Sequence, residues 1–209
     1  MALTNAYCEV ADLRALFADA GSVSDLAVVE RAINSASRAI DRYCGRFFYL
    51  EAATSTRVYR PTEPDIAWVD DIGSLDGLVI RTDTNGDGTW ATTLDSDEYL
   101  LEPLNANVVG AGSTVQPHAW WRIVPLDTRY FPVSASRVTL QVTAKFGWSA
   151  VPDEIGEACL LKAAGLYKRK DSPHGVMGFD GFGAVRVTRQ DPDVIALLRP
   201  YMKLQIGSV

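Results

Sequence analysis

The chain has 209 residues, 47% hydrophobic and 22% charged, a balance suited to a packed globular core rather than to disorder. Its net charge of −6 and pI near 4.9 argue against a sequence-independent grip on nucleic acid, which needs clustered Lys and Arg. No apolar run reaches the length of a membrane span, MALTNAYCEV shows no basic-then-apolar leader, and Cys8, Cys44 and Cys159 form no CxxC pair. The cysteines therefore read as buried thiols, not as a zinc site or a disulfide framework.

Cys8 to Ala20 (CEVADLRALFADA) predicts a short helix with Val10, Leu13, Leu16 and Phe17 on one face, ended by Gly21. The next stretch, Leu26 to Phe48, predicts the central helix. Leu26, Val29, Ile33, Ala36, Ile40 and Tyr43 recur at alternating spacings of three and four, which lays one apolar stripe along a helix. Ser22 and Ser24 are candidate N-caps, Asp25 and Glu30 place negative charge near the start, and Gly45 is a C-terminal stop.

Beyond Phe48 the period changes. Short β-like runs are predicted at Arg57 to Arg60, Ile66 to Val69, Leu78 to Thr82, Trp90 to Leu94, Tyr99 to Leu101 and Trp120 to Val124, with Pro61, Pro64, Gly73 and Gly77 as punctuation. Arg137 to Phe146 alternates most clearly. Val138, Leu140, Val142, Ala144 and Phe146 are expected to face a core, and Thr139, Gln141, Thr143 and Lys145 water. The five tryptophans lie in or beside this region, where a core role is the default and an interface role the alternative.

Helix returns at Pro152, a favoured first helical residue, followed by Asp153 and Glu154. Ile155, Cys159, Leu160, Ala163, Ala164 and Tyr167 can face a core, and Lys168, Arg169 and Lys170 complement the helix's negative end. Residues 172–183 form a Gly-rich loop carrying Val176, Met177, Phe179 and Phe182. A short strand at Ala184 to Arg189 and a last helix capped by Asp191-Pro192 follow, with Pro200 ending it. In the tail, 201–209, Met202, Leu204 and Ile206 alternate with Lys203 and Gln205, which is a strand pattern. These elements define an α+β fold: a bundle of about four helices drawn from about 8–47, 152–170 and 191–200, with a β-rich insertion at about 50–148.

Few motifs point to chemistry. DTNGDG places Asp83, Asn85 and Asp87 like the first half of an EF-hand calcium loop, but the twelfth position is Leu94 rather than Glu and the flanks are strand-like. A polar hairpin tip explains the same residues, so the weak metal candidates Asp83, Asn85 and Asp87 support only the alternative of a calcium-dependent binding module. Asp70, Asp71 and Asp76 lack a second catalytic group nearby. His118 and His174 lie in unrelated loops, and no GxSxG elbow supports a hydrolase.

Four collinear stretches carry a resemblance: AINSASRAIDRYCGRFF; LDGLVIRTDTNGDGTW with DEYLLEPLNA; KFGWSAVPDEIGEACLLKAAGLYKRKDSPHGVMGF; and FGAVRVTRQDPDVIALL. Together they resemble the head–tail connector (adaptor) proteins of long-tailed bacteriophages. Val108 to Trp121 matches no pattern of that family. The resemblance implies a single connector domain in a non-enzymatic structural virion protein without cofactors, made in the host cytoplasm and residing at the head–tail interface. It implies a ring of about twelve copies beneath the portal protein, offering a docking surface to stopper or tail proteins. Double-stranded DNA would pass through the lumen without specific binding, in keeping with a charge of about −72 around such a ring. No membrane is involved. Met202, Leu204, Ile206, Val176, Met177, Phe179 and Phe182 are the expected partner-interface residues, the C-terminal end facing the portal.

Overall fold

The structure, a computed structural model, describes residues 2–17, 25–106, 118–169, 176–177, 185–186 and 191–203. The chain divides into two compact units, one comprising Met1–Phe47 with Val151–Val209 and the other Phe48–Ala150. The first is helical and the second is built on an antiparallel sheet, so the fold class is α+β as the periodicities predict.

In the helical unit, α1 spans Val10–Leu16, α2 Leu26–Cys44, α3 Asp153–Lys168 and α4 Pro192–Leu198, the last running into a 3₁₀ turn at Arg199–Tyr201. The central element is α2. Val29, Ile33, Ala36, Ile40 and Cys44 form its buried stripe, whereas Leu26, expected on that face, is exposed in the first turn. Its N-cap is Asp25, whose Oδ1 accepts from the N–H groups of Ala27 and Val28. The expected caps Ser22 and Ser24 lie outside the described residues. Gly45 closes the helix in the left-handed region at φ 67°, donating its N–H to Asp41, which is the geometry that favours glycine there.

The first helix is shorter than its sequence period. A reciprocal cap between Glu9 and Asp12 starts α1, but it stops at Leu16, which is exposed, and Leu13 alone is fully buried on it. Phe17 leaves the helix and sets its ring 5.6 Å from that of Tyr167 on α3. Pro152 stands one position earlier than predicted, as the N-cap of α3, while Asp191 and Pro192 occupy the N-cap and first position of α4 as expected. On α3 the buried residues are Ile155, Ala158, Cys159, Ala163, Ala164 and Tyr167. A two-stranded ribbon joins β7 (Val176–Met177) to β8 (Val185–Arg186).

The second unit holds β1 (Ser55–Tyr59), β2 (Ala67–Thr82), β3 (Thr92–Leu94), β4 (Tyr99–Glu102), β5 (Trp120–Pro125) and β6 (Leu140–Phe146). They form one six-stranded sheet in the order β1-β6-β2-β5-β4, with β3 paired to β2. On β6, Leu140, Val142, Ala144 and Phe146 are buried in strict alternation, as the sequence pattern requires. The alternation fails just before the strand: Val138 is exposed and Thr139 buried. Thr139 gives its N–H to Tyr59 and its hydroxyl to Pro132, and takes the N–H of Asp83, so hydrogen bonding rather than apolarity fixes its side.

The largest departure from the sequence reading is β2. Two predicted runs separated by glycine punctuation are one strand of 16 residues. Its register against β6 shifts between Ile72 and Ser74 and again between Ser74 and Val79, so Gly73 and Gly77 are irregularities inside the strand rather than its ends. Gly77 has φ 74°. At Gly73 a Cβ would lie 2.7 Å from the Gly147 carbonyl oxygen and 2.7 Å from Leu50 Cδ1, closer than a methyl group tolerates. Gly73→Ala is therefore expected to destabilise the fold by about 1–3 kcal/mol through overpacking against backbone, read as a lower denaturation midpoint at unchanged m-value.

Candidate assembly interface

DTNGDG is the tip of the β2–β3 hairpin, whose strands close on the pair Thr82 and Thr92. The Asp83 carboxylate is buried and points into its own loop. Oδ1 accepts from Gly86 N–H at 2.7 Å and Asp87 N–H at 3.3 Å, and Oδ2 from Gly88 N–H at 2.8 Å. Arg137 caps the Gly86 carbonyl from outside. The side-chain hydroxyl and N–H of Thr89 hold the exposed Asp87 carboxyl below its usual range. Asp83 thus spends its lone pairs on amide donors that a turn would otherwise leave unsatisfied.

The acidic cluster separates into structural roles. Asp70 takes an ion pair from Arg57 at 2.8 Å and the Tyr59 hydroxyl at 3.2 Å. Arg57 also binds Glu51 at 2.7 Å while its guanidinium lies 4.0 Å from the Phe146 ring centroid. Burial, with Asp70 next, pushes the Tyr59 phenol well above its ordinary range. Asp71 is buried and accepts from the Trp148 indole N–H at 3.1 Å. The His118 ring meets Trp148 edge-on at 5.3 Å, and its backbone N–H goes to Ala106. Asp76, at the surface, faces Lys145. His174 lies outside the described residues. Among those described, no group of three or more His, Cys, Asp or Glu is arranged to hold a metal ion, and no helix is long and apolar enough to cross a membrane.

Of the expected interface residues, Met202 is 44% exposed. Val176 and Met177 form β7 by their backbone. Phe179, Phe182, Leu204 and Ile206 lie outside the described residues. At the start of the tail, Tyr201 is buried and donates its hydroxyl to Glu154, and Lys203 donates its N–H to the Cys44 carbonyl at 2.7 Å. Lys203 therefore lies at the C-terminus of α2, where it satisfies one of that helix's open carbonyls.

A further surface lies on the sheet. The register aligns Trp68 of β2, Arg122 of β5 and Glu102 of β4 across three strands. Arg122 pairs with Glu102 at 2.7 Å and lies 5.3 Å from the Trp68 ring centroid. Trp68 is 40% exposed and Leu100, two residues along from Glu102 on the edge strand, 42%. An arginine held over an exposed tryptophan beside an edge leucine has the composition of an interface rather than of a solvated face. The sequence signal was the tryptophan itself. Its partners were not legible, because register pairs them across strands far apart in the chain.

No protein-family model matches the chain, and no curated protein matches it. Similarity comes from solved structures instead. A chain from "Neck of empty GTA particle computed with C6 symmetry" superposes with a TM-score of 0.55 at 18% identity, covering 100% of this chain and 96% of that one. Chains from "Neck of native GTA particle computed with C12 symmetry" and "Virion of native gene transfer agent (GTA) particle" give TM-scores of 0.53 and 0.51 with the same identity and coverage. The chain shares the fold of these neck and virion chains along its whole length.

Replacing Asp83 by Ala leaves three loop amides without their acceptor and should cost about 2–3 kcal/mol of stability, with the hairpin-tip amides exchanging faster. Titration of the wild-type protein with calcium should give no heat at micromolar concentrations. A saturable calcium isotherm in that range would instead make the loop a cation site.

Proposed function

We propose that the chain is a head-to-tail connector subunit: a structural, non-enzymatic virion protein that forms a ring beneath the portal, extends the DNA channel and gives stopper or tail proteins a docking surface. The observation that carries this reading is the end-to-end similarity in fold to chains of phage-like particle necks, with 100% of the chain covered. The sixfold and twelvefold symmetry named for those particles supports a ring of about twelve copies. A heterologous ring needs two unlike faces on each subunit. The sheet surface around Trp68 and Leu100 supplies one candidate, and the C-terminal tail, with Met202, Leu204 and Ile206, supplies an arm for the portal. Val176, Met177, Phe179 and Phe182 form a second apolar segment suited to a neighbouring subunit. The net charge of −6 per subunit suits a lumen through which double-stranded DNA slides without being held.

The calcium-module alternative loses ground because the Asp83 oxygens are already occupied by amides of their own loop. The connector reading is tested by native mass measurement of the purified protein, alone and mixed with portal rings. A defined multimer on the portal is expected, with no retention of the subunit on double-stranded DNA at physiological salt. Truncation before Leu204 spares the bond from Lys203 to Cys44, so the shortened subunit should melt within a few degrees of wild type and yet fail to join the portal. Normal attachment by that truncated chain would remove the tail from the mechanism.

A further inference from the structure

Two of the three cysteines, 151 residues apart in the chain, meet inside the helical unit. Cys8, just before α1, donates its S–H to the Cys159 sulfur on α3 at 3.4 Å, and the Ser37 hydroxyl on α2 lies 3.4 Å from the same sulfur. A disulfide has its sulfurs about 2.05 Å apart, so joining them requires a closure of about 1.4 Å, within the reach of small side-chain adjustments. Both are free thiols.

Both thiols are buried, and Cys8, at 9% exposure, is the one nearer the surface. A groove of about 610 Å³ borders Cys8 and is lined by Tyr7, Asp12, Asp153, Gly156 and Glu157. Cys159 itself is fully buried behind it. Three carboxylates at the groove concentrate cations and repel anions. Cys44 has no comparable setting. It is buried against the Leu198 carbonyl and burial pushes its thiol up to about 12; the hydrogen bond to Cys159 and burial raise that of Cys8 further, so what sets the pair apart is the sulfur–sulfur contact and the groove.

We propose that Cys8 and Cys159 are a thiol modification site, which a small cationic disulfide entering the acidic groove converts into an intramolecular bond between the N-terminal segment and α3. The step balances as two exchanges. The Cys8 thiol gives up its proton and the thiolate attacks the reagent's S–S bond, giving a mixed disulfide on Cys8 and releasing a reagent thiolate that takes up that proton. Cys159 then attacks the Cys8 sulfur, the bond to the reagent breaks, and the second reagent thiol leaves. The protein gives up two protons and two electrons, and the reagent disulfide takes them as two thiols. The bond closes a loop of about 150 residues in the unfolded chain, a long enough constraint to raise the melting temperature appreciably.

The test uses the full chain with cystamine as the cationic disulfide and oxidised glutathione as its anionic counterpart. With cystamine, the intact mass should fall by about two hydrogens. Peptide mapping should find Cys8 joined to Cys159 with Cys44 still alkylatable after unfolding, and Tm should rise on the order of 10 °C, reversibly with reductant. At low salt cystamine should react on the order of tenfold faster than oxidised glutathione, the advantage shrinking as salt is added. Cys159→Ser should stop at a stable cysteamine adduct on Cys8, and Cys8→Ser should not react. A persistent adduct on the wild-type protein, an unreactive pair or linkage through Cys44 would overturn the proposal, and equal rates for the two reagents would remove the cationic selectivity from it. The wild-type map decides the bond even if a serine variant folds poorly.

Discussion

A hydroxyl buried in an apolar stripe must find its partners within the fold, and Ser37 finds them in three directions. Its Oγ donates to the Ile33 carbonyl one turn back, accepts the Tyr7 N–H and touches the Cys159 sulfur. The N-terminal segment, α2 and α3 therefore converge on one polar atom of zero exposure. Losing it would take one buried acceptor from the Tyr7 amide and one donor from the Ile33 carbonyl, and buried hydrogen bonds are costly to lose. The same convergence brings Cys8 to Cys159. Nearby, Asp41 accepts the Tyr7 hydroxyl and pairs with Arg38 at 2.8 Å; burial nevertheless raises its carboxyl above the ordinary range. Polar contacts thus fix the position of the N-terminal segment, and the apolar stripe of α2 supplies the bulk of the burial.

The sheet unit solves a different problem. One strand, β2, pairs with three neighbours and must change direction to do so. The glycines permit it. At Gly73 the backbone of Gly147 comes too close for any side chain, and the Gly147 N–H bonds the Asp71 carbonyl at 2.7 Å. Arg57 then spans Glu51 and Asp70 above the Phe146 ring, tying the edge strand β1 to the strands inside it. These ion pairs are partly exposed, so their worth lies more in fixing geometry than in net stability.

At 18% identity, what the chain shares with the neck structures is fold, and function has to be argued from surfaces. Two features of the described surfaces support the proposed assembly role. The polar clusters are engaged in structural hydrogen bonds and ion pairs, whereas apolar side chains such as Trp68, Leu100 and Met202 stay in contact with water. Side chains left in this state gain most from a partner that covers them.

The sequence by itself determined the class of each element and much of its punctuation. The period of α2, its stop at Gly45, the Asp191-Pro192 start of α4 and the alternation of β6 are local properties, governed by side-chain spacing and by backbone groups within a turn or two. Even there, local signals misplaced the edges. Leu16 and Leu26 carry the right period but sit at helix ends, where neighbouring elements no longer cover them. Only the tertiary structure decided that Gly73 and Gly77 continue a strand, that Trp68 meets Arg122 and Glu102, and that two cysteines 151 residues apart share a proton contact. Each of these depends on register or packing between segments distant in the chain, and spacing along a single chain carries no record of which distant backbone will come within 3 Å.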